Sequence, residues 1–442
     1  MPSGHDIVGV IMASHPTRRE VLAAASLGAA ALGKAAPASQ PFPKGFLWGA
    51  ATAAHQVEGN NINSDVWVLE HMKPSPFAEP SNDACDHYHL YPGDIRMLAD
   101  LGFNTYRFSI EWARIEPEEG VFSRAELEHY RQVLLACRER GLKTMVTFYH
   151  FTSPRWFAAM GGWENPRSVE LFARFCERAT RHLGDLIDFG TTFNEPNIPF
   201  LIRWMDLKMD FNGVGAILSG AAKAVGSDRF GTFLFGDPPK LRDNMIAGHF
   251  KAMSAVKAAA KFPVGVNLAI SDDQSAGPDS GRDRKRAEVY GPWLQAAAKS
   301  DFVGVQTYTR TRVGKDKDLA PGAEVELTQM GYEFWPEALE QTIRYAAAEA
   351  RVPVYVTENG IGTEDDTRRV EYIRRALAGV KKCLDDRIDV RGYIHWSLLD
   401  NFEWIYGYRP KFGLVAVDRA TQKRTPKPSA KILGEIARRN SV

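Results

Sequence analysis

Beyond Pro41 one pattern recurs: a short β-branched or aromatic run, then a longer stretch whose apolar residues fall three and four positions apart. The short runs predict strands at Phe46–Ala50, Phe103–Ser109, Lys143–Tyr149, Ile187–Phe193, Val264–Ile270, Phe302–Thr307, Val354–Thr357 and Arg391–Trp396. Helical spacing fills most gaps, over Pro92–Leu101, Arg124–Gly141, Val169–Leu186, Met245–Lys261, Pro336–Ala350 and Thr367–Asp386. Strands alternating with helices imply a parallel sheet, and eight such units imply closure into an α/β fold, a (β/α)8 TIM barrel. The body of roughly 400 residues exceeds the about 250 of a minimal barrel, so several strand-to-helix loops are long. The stretch 199–240 mixes helix, loop and glycine without a clear period. No tandem repeat or Pro/Gly linker splits the body, and residues 39–442 are expected to form one domain.

Composition narrows the class without choosing a function. The chain has 442 residues, a formal net charge of +1, 44% hydrophobic and 25% charged residues, which is ordinary for a globular protein. The balanced charge argues against a nucleic-acid or polyanion binder, which shows a basic excess. No run approaches the roughly 18 apolar residues of a membrane span. The four cysteines, Cys85, Cys137, Cys176 and Cys383, have no metal-ligand or C-x-x-C spacing. Cys137 and Cys176 sit in helical patterns and are expected to be buried packing residues.

The first residues follow different rules. Thr17-Arg18-Arg19-Glu20 precedes a mildly apolar stretch, Val21–Leu32, and then Ala36-Pro37-Ala38. Paired arginines, a weak alanine-rich core and an A-x-A site predict a twin-arginine export signal over residues 1–38, with a periplasmic or secreted product. Met12 as the true start would give a more usual signal length. The competing expectation is a short amphipathic helix that caps the barrel.

The ends of the predicted strands carry the chemistry. Glu195 follows Ile187–Phe193 within Thr192-Phe193-Asn194-Glu195-Pro196, and Glu358 follows Val354–Thr357 within Thr357-Glu358-Asn359-Gly360. A carboxylate at the carboxyl end of a parallel strand sits at the mouth of a barrel, where such folds keep their active sites. Two facing one cavity are what cleavage of a glycosidic bond needs: one protonates the departing oxygen, the other attacks the sugar carbon. Other strand ends add Gln56, Arg107, His150, Asn194, Tyr308 and Trp396, with Trp404 beyond the last. Amides, an imidazole, a guanidinium and indoles on one face suit a polyhydroxylated ring with apolar faces. Each alone has a plainer reading: Arg107 as the counterion of a buried carboxylate, His150 as a core histidine, Trp396 as packing.

These residues fall in recognisable motifs. Phe42-Pro43-Lys44-Gly45-Phe46-Leu47-Trp48-Gly49-Ala50 leads into His55-Gln56-Val57-Glu58-Gly59, followed by Asp86-His87-Tyr88 and Tyr106-Arg107-Phe108-Ser109-Ile110-Glu111-Trp112. With Thr192-Phe193-Asn194-Glu195-Pro196-Asn197, Thr357-Glu358-Asn359-Gly360 and His395-Trp396-Ser397-Leu398-Leu399-Asp400-Asn401-Phe402-Glu403-Trp404, the chain resembles glycoside hydrolase family 1, the retaining β-glycosidases. The resemblance implies Glu195 as acid/base and Glu358 as nucleophile. It implies Gln56, His150, Asn194, Trp396, Glu403 and Trp404 as holders of the nonreducing sugar, and Tyr308 and Arg107 as partners that steady the nucleophile. Glu403 with Trp404, in place of a serine and a downstream phosphate clamp, resembles the branch acting on unphosphorylated sugars. Retention implies carboxyl groups about 5–5.5 Å apart. The partner implied is a small β-glycoside or oligosaccharide, with no metal or organic cofactor.

Three departures bear on the leaving group. Gln306-Thr307-Tyr308 stands where the family usually reads Asn-Tyr-Tyr, and the longer amide is expected to alter a hydrogen bond near the acid/base or the aglycone. The segment from Ser271 to Ser300 is short, which would open the aglycone side. Met330-Gly331-Tyr332 stands in place of Met-Gly-Trp. Two other readings use the same residues: a transglycosylase working through the same intermediate, and an inactive sugar-binding protein, which both glutamates argue against.

Overall fold

In the computed structural model, which describes residues 41–205 and 211–442, eight parallel strands close into a barrel. They are β1 (Leu47–Ala51), β2 (Thr105–Ser109), β3 (Lys143–Tyr149), β4 (Phe189–Asn194), β5 (Val264–Ala269), β6 (Phe302–Gln306), β7 (Val354–Glu358) and β8 (Val390–Trp396). Each pairs with its sequence neighbours, and β1 closes the ring against β8 through Leu47↔Gly392 to Ala51↔Trp396. The predicted strands are all present, displaced by at most two residues at their starts. The predicted export signal lies outside the described residues.

The outer layer follows from amphipathic helices. The main ones are α1 (His87–Leu101), α2 (Arg124–Glu139), α3 (Ser168–Leu183), α4 (Pro238–Ala259), α5 (Gly291–Ala297), α6 (Ala338–Ala350), α7 (Asp366–Asp385) and α8 (Pro428–Arg439). In α3 the buried positions Leu171, Phe172, Phe175, Cys176, Ala179 and Leu183 keep to one face at helical spacing. Phe172 stacks on Phe193 of β4, with centroids 4.6 Å apart, so the α3 stripe seats the strand that ends at Glu195. All four cysteines are free and buried. Two helices begin earlier than their spacing suggests. Pro92 lies inside α1 rather than at its start, because the turn from His87 forms ahead of it, and α4 starts at Pro238, seven residues before Met245. Among the described residues no helix is long and apolar enough to cross a membrane.

The barrel interior is stratified. Near the strand starts Leu47, Met145, Phe302, Tyr355 and Ile394 form an apolar cluster. Above it lies a polar layer: Thr147 and Thr191 share a hydrogen bond of 2.9 Å, and Asn267 donates to Thr191 at 3.2 Å. Branched apolar residues usually fill such interiors, so this layer already departs from a purely structural barrel. Gly304 of β6 makes room for it. A Cβ there would stand 2.1 Å from Asn267 Oδ1 and 2.7 Å from Thr357 Oγ1.

Strict alternation would not bring the right side chains to the mouth. In β4, Thr191 faces inward, while Thr192 Oγ1 meets His249 of α4 at 2.7 Å and Phe193 packs outward on Phe172. The register against β5 shifts between Thr191 and Asn194. Two successive outward residues therefore return Asn194 to the interior, and the next, Glu195, adopts a left-handed φ of 46°. Non-glycine residues in that region cost energy and mark sites where surrounding structure holds them. The backbone N–H of Glu195 donates to Asn267 O at 2.9 Å, which anchors the turn to β5. A second shift between Val305 and Gln306 pairs Gln306 with Glu358 across β6 and β7.

Gly304→Ala is expected to lower stability by about 1–3 kcal/mol, the scale of overpacking a tight core. Denaturant melts check this, and a change below about 0.5 kcal/mol would mean that the polar layer can yield.

Candidate active site

At the carboxyl ends of the strands the chain gathers three carboxyl groups, two of which feel the charge of one buried guanidinium. Arg107, only 1% exposed, reaches across from β2. Its Nη1 donates to Glu358 Oε1 at 2.6 Å and to Thr357 O at 3.2 Å, and its Nη2 donates to Asn194 Oδ1 at 2.5 Å. The Tyr308 hydroxyl donates to the other oxygen of Glu358, at 2.5 Å. Both oxygens of Glu358 are thus held by donors that favour its ionised form.

The two glutamates sit in different electrostatic surroundings. Burial pushes the Glu358 carboxyl up from the ordinary range, while the Arg107 charge and the hydrogen bonds from Tyr308 and Arg107 pull it back. Burial pushes Glu195 well above the ordinary range, the charge of Glu358 raises it further, and Arg107 opposes the shift without donating to it. Glu195 therefore holds a proton where Glu358 is free to lose one. A third carboxyl, Glu403, is pushed up to about 8 by burial and by the charge of Glu358, against a hydrogen bond from Trp396.

Two buried polar atoms close to these groups have no protein partner. Gln56 Nε2 donates to Asn401 Oδ1 at 3.1 Å and to Phe402 O at 2.7 Å, which leaves its buried Oε1 as an acceptor. His150 Nε2 lies 3.1 Å from Asn194 Nδ2. Burial, and secondarily the Arg107 charge, hold this imidazole well below the usual histidine range, so it is neutral. An amide nitrogen only donates, so Nε2 accepts and the ring proton sits on Nδ1, which is buried and unpaired. Gln56 Oε1 and His150 Nδ1 are thus left as one acceptor and one donor without a protein partner.

Aromatic rings pack against one another beside these groups. His150 stacks on Trp396, with centroids 5.7 Å apart and planes at 22°, and on Trp404 at 6.2 Å and 18°. Trp404 is backed by His55 at 5.8 Å and 7°. Every predicted site residue is accordingly drawn into one neighbourhood. The residues beside the glutamates do different work. Asn197 exchanges two hydrogen bonds with the Ala269 backbone, at 2.7 and 3.1 Å, while Asn359 donates to Thr307 O at 2.7 Å and accepts from Tyr393 at 3.0 Å. They brace the loops.

Two contributors were not among the predicted site residues. His55 supports Trp404, and its place within the His55–Gly59 motif was the available signal. Gln306 donates from Nε2 to Asn194 Oδ1 at 2.8 Å. Its longer amide therefore acts on Asn194, the residue directly before Glu195. The Ser271–Ser300 segment is ordered: Asp272–Ser275 pairs in parallel with Arg310–Val313, followed by helices Arg282–Val289 and Gly291–Ala297. Among the described residues no group of three or more His, Cys, Asp or Glu side chains is arranged to hold a metal ion. A separate bowl of about 710 Å³ opens at the amino-terminal end of the barrel, beside Phe189, Phe302 and Arg391, and contains none of the predicted site residues.

With this geometry in place, the comparisons with known proteins agree with one another. The family model described as "Glycosyl hydrolase family 1" matches residues 38–209 and 255–442. The apo structure of a β-glucosidase is 51% identical, with a TM-score of 0.87, covering 89% of this chain and 98% of that one. The crystal structure of a β-glycosidase is 52% identical, also with a TM-score of 0.87, covering 91% and 98%. A β-glucosidase of Agrobacterium sp. is 30% identical over 441 residues, covering 90% of this chain and 95% of its own.

The hydrogen-bond asymmetry has a direct consequence. Tyr308→Phe removes a donor that stabilises only the ionised form, so the Glu358 carboxyl should titrate at higher pH than in the parent protein. Carbon-13 NMR of labelled glutamate follows this, and an unmoved or lower midpoint would mean that the hydroxyl contributes nothing to its ionisation.

Proposed function

The chain belongs to glycosyl hydrolase family 1, and from that premise we propose that it removes the nonreducing terminal β-D-glucosyl residue of unphosphorylated β-glycosides by double displacement. The observation that carries this reading is the unequal treatment of two neighbouring carboxyls: Glu358 is gripped by Arg107 and Tyr308, whereas Glu195 receives burial and negative charge. Glu358 is the nucleophile. Its ionised oxygen attacks the anomeric carbon, while Glu195 delivers its proton to the glycosidic oxygen and releases the aglycone. Formation of the ester neutralises Glu358 and removes the charge that raised Glu195, so Glu195 then gives up a proton readily. As a base it activates the water that cleaves the ester, and net configuration is retained.

Gln56, His150, Asn194, Trp396, Glu403 and Trp404 hold the sugar. The free acceptor on Gln56 and the free donor on His150 suit adjacent hydroxyls, and the indoles suit the apolar face of a pyranose. Glu403 lies close enough to Glu358 to feel its charge, and a phosphorylated sugar would add more negative charge to this cluster. Glucosides are favoured because several of the similar proteins are β-glucosidases; galactosides, which differ at C4, and fucosides, which differ at C4 and C6, are the nearest alternatives. Arg18-Arg19 and Ala36-Pro37-Ala38 support export before action, with cleavage near Ala38 and a periplasmic or secreted location.

Glu358→Gly should lower kcat by roughly 10⁴-fold or more, the scale seen when a nucleophile is lost. Azide or formate should restore turnover of activated aryl glucosides. Full activity in this variant would contradict the assignment. Glu195→Gln should slow poor leaving groups by about 10²–10⁴-fold, the usual worth of a general acid, and nitrophenolates far less. Because the pKa of Glu195 is raised, its acid form is present at low pH and lost as pH rises, so Glu195 sets the alkaline limb of kcat/KM, and that limb should vanish in Glu195→Gln. Amino-terminal sequencing of the protein recovered from periplasm or medium should begin just after Ala38, and a product confined to the cytosol with an intact leader would refute export.

A further inference from the structure

We propose that Gln306 is a positioning residue that fixes the amide of Asn194, so that its nitrogen meets the sugar hydroxyl next to the reacting carbon. This rests on the reading of Asn194 as a sugar-holding residue. A carboxamide oxygen takes about two hydrogen bonds, and those of Asn194 Oδ1 come from Arg107 Nη2 at 2.5 Å and Gln306 Nε2 at 2.8 Å. Rotating the Asn194 amide by half a turn would set its NH₂ group against a guanidinium that has no acceptor, and against a second NH₂ group. The two donors from β2 and β6 therefore select one orientation. In it Nδ2 points away from them, with His150 Nε2 at 3.1 Å on one side. Its second hydrogen is left for a ligand.

The place where that hydrogen is offered follows from Arg107. The same guanidinium holds Glu358 Oε1 at 2.6 Å, so one side chain places both the Asn194 amide and the nucleophile's carboxylate. The hydroxyl nearest the attacked anomeric carbon is the one on C2. Contacts to this hydroxyl strengthen as the ring moves toward the oxocarbenium-like transition state. An amide free to flip would present an acceptor in some molecules and a donor in others, and the loss would fall on kcat more than on KM. Gln306 is suited to the task because it is 1% exposed and pairs with Glu358 across the strands, which ties its position to the nucleophile. Its own Oε1 is buried without a partner, so nothing else in the described protein competes for that end of the amide.

The test compares Gln306→Leu and Gln306→Glu with the parent enzyme, on an aryl β-glucoside and on its 2-deoxy analogue. Gln306→Leu should lose about tenfold in kcat on the glucoside with KM nearly unchanged, the scale of one hydrogen bond. Gln306→Glu should lose more, because ionised it sets an acceptor against Asn194 Oδ1. On the 2-deoxy substrate both variants should run within about twofold of the parent, because the contact they disturb is absent there. Thermal melts of both variants establish folding, and Gln306→Asn, which keeps a shorter amide, provides a third folded comparison with intermediate loss. Equal losses on the two substrates, or no loss from any folded variant, would overturn the proposal while leaving Asn194 a sugar contact. A parent enzyme indifferent to the 2-hydroxyl would instead overturn the reading of Asn194 on which it rests.

Discussion

The mouth of this barrel depends on the buried guanidinium of Arg107. Removing charged groups from water costs several kcal/mol per ion even after the protein relaxes. A site that needs an ionised nucleophile beside two further carboxyls must therefore supply a cation that cannot be deprotonated. Arginine meets that condition, and its planar fork lets one residue grip Glu358 with one nitrogen and Asn194 with the other. Charge-assisted hydrogen bonds contribute about 1.5–3 kcal/mol each. Arg107 and Tyr308 supply two to Glu358, while the Glu195 carboxyl receives none from Arg107. That difference separates the nucleophile from the acid/base in a pair whose burial is otherwise similar.

The barrel makes this arrangement possible by breaking its own rule. Strict alternation along β4 would turn Asn194 outward, toward the helices. The shift after Thr191, together with the left-handed backbone at Glu195, brings Asn194 inside and lets the chain turn over the rim. Asn197, Asn359 and the Glu195 amide hold the displaced loops by bonds to neighbouring backbone. Below them, Gly304 opens room for Asn267 and Thr357, so the polar layer under the site is part of the same design.

Much of this was legible in the residues. The eight runs and their helices set the topology, and the glutamates after the fourth and seventh strands marked the mouth. Tyr308 was implied as a partner for Glu358 by the family resemblance, not by any spacing along the chain. What could not be read was local geometry. A strand irregularity leaves no periodic trace, so the inward turn of Asn194 came only with the structure. Pro92 suggested a helix start, whereas α1 begins at His87, because one missing backbone donor can be tolerated on the exposed face of a long amphipathic helix. Gln306 was visible as a departure, but its effect depends on which atom it reaches, and that is a distance across the barrel rather than a spacing along the chain.

The central claim is that two carboxyls serve one anomeric carbon without a water between the nucleophile and the sugar. The most direct measurement is proton NMR of the first sugar released from an aryl β-glucoside, recorded faster than the anomers interconvert. Retention through a glycosyl-enzyme on Glu358 gives β-glucose first, with the α-anomer growing in later. If α-glucose appeared first, water would be the attacking group, and Glu358 would not be the nucleophile.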